Sequence, residues 1–228
     1  MVEVSIVIPT MNEEASIGAV LDEVHGAMQA QDCEIITVDT NSRDRTNAIA
    51  LAKGARVVSE PRPGYGRAYK TGFGASRGRF IVTMDADLTY PANRIPDLLR
   101  PIMEDRADFV SGNRLSGLSG AAMSGMHRIG NEMLNRIFRL LFRYPIRDSQ
   151  SGMWAFRRDL LPHLRLLHDG MAFSEEIKLE TIRAGYRFLE LPIDYRQRVG
   201  RRKIRSVRDA AGNVAWLLRK RFGWVPAA

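Results

Sequence analysis

A single cysteine, Cys33, in 228 residues excludes an intramolecular disulfide framework and fits a reducing compartment. No apolar run approaches the ~18 residues needed to span a bilayer. The N-terminal MVEVSIVIPT also lacks the basic and apolar regions of a secretory signal. These absences predict a chain without a transmembrane helix, soluble or peripheral, in a reducing, cytoplasmic compartment. Internal repeats and a clear interdomain linker are missing too, so one domain is expected over residues 1–228. Acids are the minority charge, 26 against 34 lysines and arginines, and the net charge of +8 suggests an anionic partner, although charge alone is met as well by a solvated basic face. The first 60 residues nevertheless carry an excess of acids, whereas RQRVGRRKIRSVRD and LLRKRFGW concentrate the bases near the C-terminus. Aromatic residues are not interleaved with these bases on one platform, and no recognition helix stands out, so nucleic acid is not the expected partner.

What is present is an alternation of strand-like and helix-like segments. VSIVIPT, CEIITVDT, ARVVSE and RFIVTMDAD are short apolar runs suited to strands covered on both faces. NEEASIGAVLDEVHGAM, RTNAIALAKG and GYGRAYKTGFGASRG have helical character. Asn12 is the expected N-cap of the first and Gly54 the close of the second. Repeated β-α units predict an α/β fold with a mostly parallel central sheet flanked by helices, and ligands beyond the carboxyl ends of its strands. Further on, LSGLSGAAMSG reads as a small-residue linker. Residues 125–143 read as a long amphipathic helix, with Ile129, Met133, Leu134, Ile137, Leu140 and Leu141 on a wide apolar face bordered by arginines.

The strand RFIVTM ends in Asp85 and Asp87. Carboxylates at i and i+2 leave a strand on the same side and repel each other, a cost that a cation between them would offset. Hard oxygen ligands suit Mg²⁺ or Mn²⁺. Ordinary turn chemistry in DLTYP would account for the same residues.

The ordered set of motifs resembles the family 2 glycosyltransferases, and among them the dolichyl- or polyprenyl-phosphate sugar synthases. SIVIPTMNEE, ITVDTNSRDRT, GYGRAYKTGFGAS, DADLTYP, SGNRL, DSQSGMWAFRRDLL and FSEEIKLETIRAGYRFLELPIDYRQRVGRRK follow the family's sequence of segments over almost the whole chain. The resemblance implies a GT-A-like (Rossmann-like) fold, with a nucleotide-sugar-binding part in 1–114, an acceptor-side part in 115–205 and an amphipathic basic helix in 206–228. It implies a nucleotide-sugar site at Pro9, Met11, Glu13, Val38, Asp39 and Thr40, joined by Asp85, Ala86, Asp87, Arg114, Arg198 and Lys203. Thr40 stands where the family usually has a second Asp. Metal ligation would fall to Asp85 and Asp87, with Thr89 where the family often has Gln. Asp87, Arg114 and Arg128 would carry the chemistry, and Arg128 with Ser151 would hold an acceptor phosphate.

That chemistry is metal-dependent, inverting transfer of a hexose from GDP-mannose or UDP-glucose to a polyprenyl or dolichyl phosphate at a membrane surface. The family's Gln-x-x-Arg-Trp motif, which accompanies hydroxyl acceptors, is absent. A phosphate is already anionic and needs no strong base. Helix 125–143 and the tail NVAWLLRKRFGWV, with Trp216, Phe222 and Trp224, are candidates for an anionic membrane surface or for core packing. The missing span leaves room for a membrane-anchoring subunit as partner. Glu175 or Glu176 as general base toward a hydroxyl acceptor is the competing reading.

Overall fold

In a computed structural model, which describes residues 2–116, 123, 125–200 and 206–223, the apolar runs become strands of one sheet. The strands are β1 (Val4–Thr10), β2 (Cys33–Asp39), β3 (Arg56–Ser59), β4 (Phe80–Thr83), β5 (Phe109–Asn113), β6 (Trp154–Arg157) and β7 (Phe188–Pro192). They lie in the order β3-β2-β1-β4-β6-β5-β7. All pairings are parallel except the two made by β6, which runs against both β4 and β5. The helices are α1 (Ile17–Ala27), α2 (Thr46–Ala52), α3 (Tyr65–Ala75), α4 (Ile95–Met103), α5 (Gly125–Phe142), α6 (Phe173–Arg183) and α7 (Ser206–Phe222).

Alternation along the strands divides the core between the two faces of the sheet. Ile6, Ile8, Val82 and Val110 pack with Val20 and Val24 of α1 and Leu98 and Leu99 of α4. Val7, Ile36, Ile81, Phe109 and Phe156 pack with Tyr69 and Phe73 of α3 and Phe173 and Ile177 of α6. The α3–α6 contact needs Gly66, where a Cβ would collide with the His168 carbonyl and the Phe173 side chain. A third, smaller cluster joins Phe138 of α5, Ile146, Leu179 of α6 and Leu217 of α7.

Two local expectations change. Asn12 does not cap α1, which begins at Ile17 after Ser16. Asn12 instead adopts a left-handed turn (φ 52°), its N–H donating to Ser42 Oγ at 2.8 Å while its Oδ1 accepts from the Arg43 N–H at 2.8 Å. That crosslink between the loops after β1 and β2 replaces the cap. The apolar face of α5 is not buried as one surface: Leu134 and Phe138 are buried, whereas Ile129, Met133 and Leu140 are exposed. The small-residue linker before α5 lies largely outside the described residues. Gly54 does close α2, in the left-handed conformation at φ 78°.

Candidate active site

The strand order supplies a crevice. From β1 the chain moves outward through β2 and β3, then returns to place β4 on the other side of β1. The loops leaving β1 and β4 therefore diverge at a topological switch point, where open α/β sheets bind ligands. Met11 and Glu13 follow β1, and Asp85, Ala86 and Asp87 follow β4. β2 lies alongside in register, with Pro9 opposite Val38 and Thr10 opposite Asp39. The Thr40 N–H donates to the Thr10 carbonyl at 2.9 Å, and both Asp39 carboxylate oxygens accept from the Ser42 N–H.

β5 and β7 are parallel and end at the same edge, delivering Arg114 and then Tyr195 and Arg198. Because β6 is antiparallel, its beginning sits there too: Trp154 pairs with Thr83, so Ser151 and Gly152 lie beside the end of β4. A Cβ at Gly152 would strike Tyr65 Oη and come within 3.4 Å of Asp85 Oδ1 and Tyr90 Oη. The Gly152 N–H donates to Tyr90 Oη at 2.7 Å.

The two aspartates have different surroundings. Asp87 is buried; its Oδ1 accepts from the Thr89 N–H at 3.0 Å and from the Thr89 hydroxyl, and its Oδ2 pairs with Arg198 Nη2 at 2.6 Å. The Val199 N–H donates to the Asp87 carbonyl at 3.0 Å, fixing the loop that carries Arg198. Thr89 thus positions Asp87, its proton directed at that carboxylate. Asp85 is partly accessible. Burial first and the charge of Asp87 second push its carboxyl up to about 7, against the pull of Arg198 and Arg114 and with a further push from Glu13. A carboxylate repelled in this way fits a site for a hard divalent cation. Among the described residues no group of three or more His, Cys, Asp and Glu could cage one. Two carboxylates with the rest of the shell left to water and phosphate oxygens is the donor set that Mg²⁺ or Mn²⁺ takes in phosphate chemistry.

Arg114 is 8% exposed and its partner Asp148 is fully buried. Nε and Nη2 of Arg114 each donate to an Asp148 oxygen at 2.8 Å, and its backbone N–H donates at 2.9 Å. The guanidinium also lies 5.2 Å from the centroid of the Tyr195 ring. Nη1 is the part of the guanidinium not used by Asp148.

The other expected site residues are placed differently. Ser151 is fully buried, with its carbonyl bonded to Trp154 Nε1, Ser174 Oγ and Lys178 Nζ and its own Oγ without a partner. Arg128 is exposed in the first turn of α5, and no described contact ties it to the strand ends. Lys203 and Trp224 lie outside the described residues.

The rival base candidates are both enclosed. Glu176 accepts from the Leu167 and His168 N–H groups and pairs with Lys220 Nζ at 2.8 Å. Glu175 is buried, accepts from Gln150 Nε2 through Oε1, and leaves Oε2 without a partner. Burial pushes the Glu175 carboxyl up to about 8. A raised acid binds its proton more tightly when folded, so stability through this group is full below about 4.5 and is lost as pH rises through about 8. Glu175→Gln is expected to gain roughly 2 kcal/mol over wild type between pH ~5 and pH ~7. Urea unfolding at both pH values measures this; parallel behaviour of the two proteins would mean that Glu175 is ionised in the fold.

Sequence reasoning missed Lys178 and Asp148. Lys178 is fully buried in α6, its Nζ donating at 2.9 Å to each of the carbonyls of Asp148, Ser149 and Ser151. Burial lowers its ammonium to about 7, against the charges of Asp148 and Glu190. Asp148 lies within DSQSGMWAF, but nothing in the residue type marks it as the partner of Arg114.

Comparison with known proteins agrees with this architecture. The family model of glycosyl transferase family 2 matches residues 5–165. A dolichyl-phosphate hexose transferase of Haloferax volcanii is 34% identical, over 89% of this chain and 86% of its own. The low-salt glycan biosynthesis hexosyltransferase Agl6 of the same organism is 32% identical over 98% of this chain, which spans 55% of that relative. Glucosyl-3-phosphoglycerate synthase from Mycobacterium tuberculosis, solved with Mn²⁺, UDP and glucosyl-3-phosphoglycerate, superposes with a TM-score of 0.79 at 24% identity, covering 99% of this chain and 81% of that one. A mostly parallel sheet with its carboxylate pair at the β1/β4 crevice is thus the GT-A architecture, and the chain belongs to glycosyl transferase family 2.

Proposed function

We propose that the chain moves a hexose, with inversion, from a nucleoside-diphosphate sugar to a polyprenyl or dolichyl phosphate at the cytoplasmic membrane surface. The observation that carries this reading is the carboxylate pair at the switch point, with Arg198 on Asp87 at 2.6 Å and Arg114 within electrostatic reach of Asp85. The β1 and β2 loops from Pro9 to Glu13 and from Val38 to Thr40 would take the nucleoside. Asp85 and Asp87 would hold Mg²⁺ or Mn²⁺, which when bound supplies compensation for charge developing on the leaving diphosphate. Arg198 and Arg114 add fixed cationic charge, already oriented by their carboxylate partners. Solved neighbours that contain Mn²⁺ and UDP-glucose support a nucleotide-sugar donor.

The acceptor is read from what the site does not offer. Glu176 has its oxygens occupied, and Glu175 is enclosed and raised to about 8. A hydroxyl acceptor would need a base; an ionised phosphate can attack the anomeric carbon without one. The relative named as a dolichyl-phosphate hexose transferase supports a lipid phosphate. No helix among the described residues is long and apolar enough to cross a membrane, so the lipid would be met at the surface or beside a membrane-anchoring subunit. The test is transfer of label from GDP-mannose and, in parallel, UDP-glucose into the organic phase with a polyprenyl phosphate and Mn²⁺. Label in that phase identifies the donor. Label passing instead to phosphoglyceric acid would replace this acceptor with a hydroxyl one.

A further inference from the structure

Between α5 and β6 the chain passes residues 147–149 in neither helix nor strand, and Asp148 and Ser149 are fully buried. Backbone buried in this way needs hydrogen-bond partners from elsewhere in the molecule. Three side chains from three elements supply one for every N–H and carbonyl of the stretch. Asn135 of α5 donates through Nδ2 to the Arg147 carbonyl at 2.7 Å and accepts at Oδ1 from the Ser149 N–H at 2.8 Å. Glu190 of β7 accepts from the Arg147 and Asp148 N–H groups, one on each oxygen, at 2.8 Å. Lys178 of α6 donates to the Asp148 and Ser149 carbonyls at 2.9 Å. Among the described residues none of these six groups is bonded to another backbone group.

The cradle is centred on one residue. Asn135 grips the chain immediately before and after Asp148, while Glu190 and Lys178 take the N–H and carbonyl of Asp148 itself. The carboxylate held there spends both oxygens on Arg114. With Nε and Nη2 committed, Nη1 is the nitrogen left for the crevice, and the charge of the guanidinium reaches Asp85. A turn that only had to be buried would not need its bonds gathered around the partner of a crevice arginine. We propose that Asn135 and Glu190 are positioning residues for Arg114, acting through Asp148, with Lys178 completing the cradle. The effect on rate rests on the transferase reading; the placement of Arg114 rests on the geometry alone. A guanidinium fixed along one edge presents Nη1 without having to be ordered as charge develops on the leaving diphosphate. Loosening Asp148 lets the guanidinium turn, which lowers rate more than binding.

Asn135→Ala and Glu190→Gln test this in the wild-type and Arg114→Lys backgrounds. Lysine keeps a buried charge beside Asp148, but its one nitrogen, once bound there, offers nothing fixed to the crevice. In the wild-type background Asn135→Ala is expected to lower kcat about thirtyfold and to change the donor KM less than about threefold. Glu190→Gln keeps one of two acceptors and should lower kcat about fivefold; it carries the test should Asn135→Ala not fold. On Arg114→Lys either change should cost less than about twofold, because its route to the chemistry is gone. A second readout needs no turnover. The Arg114 Nε–H, enclosed against Asp148, should exchange slowly with solvent in ¹⁵N-labelled protein, its resonance identified by its loss in Arg114→Lys. Both variants should speed that exchange, Asn135→Ala at least about tenfold relative to the Val82 amide, which reports global unfolding. Three results would overturn the proposal: kcat unchanged in the folded variants, equal losses of kcat in both backgrounds, or an Arg114 Nε–H exchange that neither variant alters. Should wild type transfer no sugar from any donor, the transferase reading falls, and the exchange measurement alone decides whether Asn135 and Glu190 place Arg114.

Discussion

Asp87→Asn is expected to lower sugar transfer by about a thousandfold or more while leaving the protein folded. The side chain meets three demands at once. Its Oδ1 accepts from Thr89, its Oδ2 holds Arg198 at 2.6 Å, and its negative charge adds to that of Asp85 on the same loop. Asparagine can keep the first, because its carbonyl oxygen accepts from Thr89 equally well. It fails the second and third: an amide NH₂ faces the Arg198 guanidinium, and the site loses one of its two anionic oxygen donors. Stability should fall by only about 1–2 kcal/mol, so a large loss of rate with a small shift in unfolding separates chemistry from folding. Initial rates over a Mn²⁺ titration, with calorimetric binding of nucleoside diphosphate, make the measurement. A variant within about tenfold of the wild-type rate, with unchanged dependence on Mn²⁺, would remove Asp87 from the chemistry.

The largest effect on stability is expected at Lys178. Three carbonyls from one short segment, those of Asp148, Ser149 and Ser151, converge on its ammonium at 2.9 Å each, matching its three protons. Lys178→Met fits the same space and donates nothing. Three buried carbonyls lose a donor, and the buried carboxylate of Asp148 loses a nearby positive charge. Breaking such a buried arrangement costs about 3–5 kcal/mol. For a chain of this size that lowers the unfolding midpoint by roughly 10 °C. A depressed base binds its proton less tightly when folded, so wild-type stability through this group is lowest below about 7 and rises toward 10.5. The variant should lack that rise. Thermal unfolding across this range decides the matter; a shift of less than about 1 kcal/mol would mean that the three carbonyls find other donors.

Lys178 also marks where the sequence stops being legible. The first half could be followed strand by strand because period and turn residues agree: β1, β2 and β4 are apolar runs that end in Pro-Thr, Asp-Thr or Asp-x-Asp. Asp85, Asp87 and Arg198, expected at one site, come together at one edge of the sheet. FSEEIKLETIRAG gives the opposite signal. Its four charged residues among the first eight resemble a solvated face, yet Phe173 through Leu179 are all buried. Tertiary partners reverse the pattern: Gln150 for Glu175, two backbone amides and Lys220 for Glu176, three carbonyls for Lys178. No local rule anticipates partners so distant in the chain. The expected apolar face of α5 is likewise split, Leu134 entering the core while Ile129, Met133 and Leu140 stay exposed, since spacing alone does not say which part of a wide face meets the core.

The reversed direction of β6 has a further meaning for how such a protein can change. Residues after β1, β2 and β4 reach the crevice as the chain leaves the sheet, so lengthening those loops moves them against a fixed scaffold. Asp148 to Gly152 reach it as the chain arrives, ahead of the strand that anchors them. Their arrival is held from the helical side, with Ile146 in the small core and the Arg147 and Asp148 N–H groups donating to Glu190, before the register between Trp154 and Thr83 is set. The two sides of the crevice are therefore built on separate length controls, and one wall can be remodelled over evolutionary time without renegotiating the other.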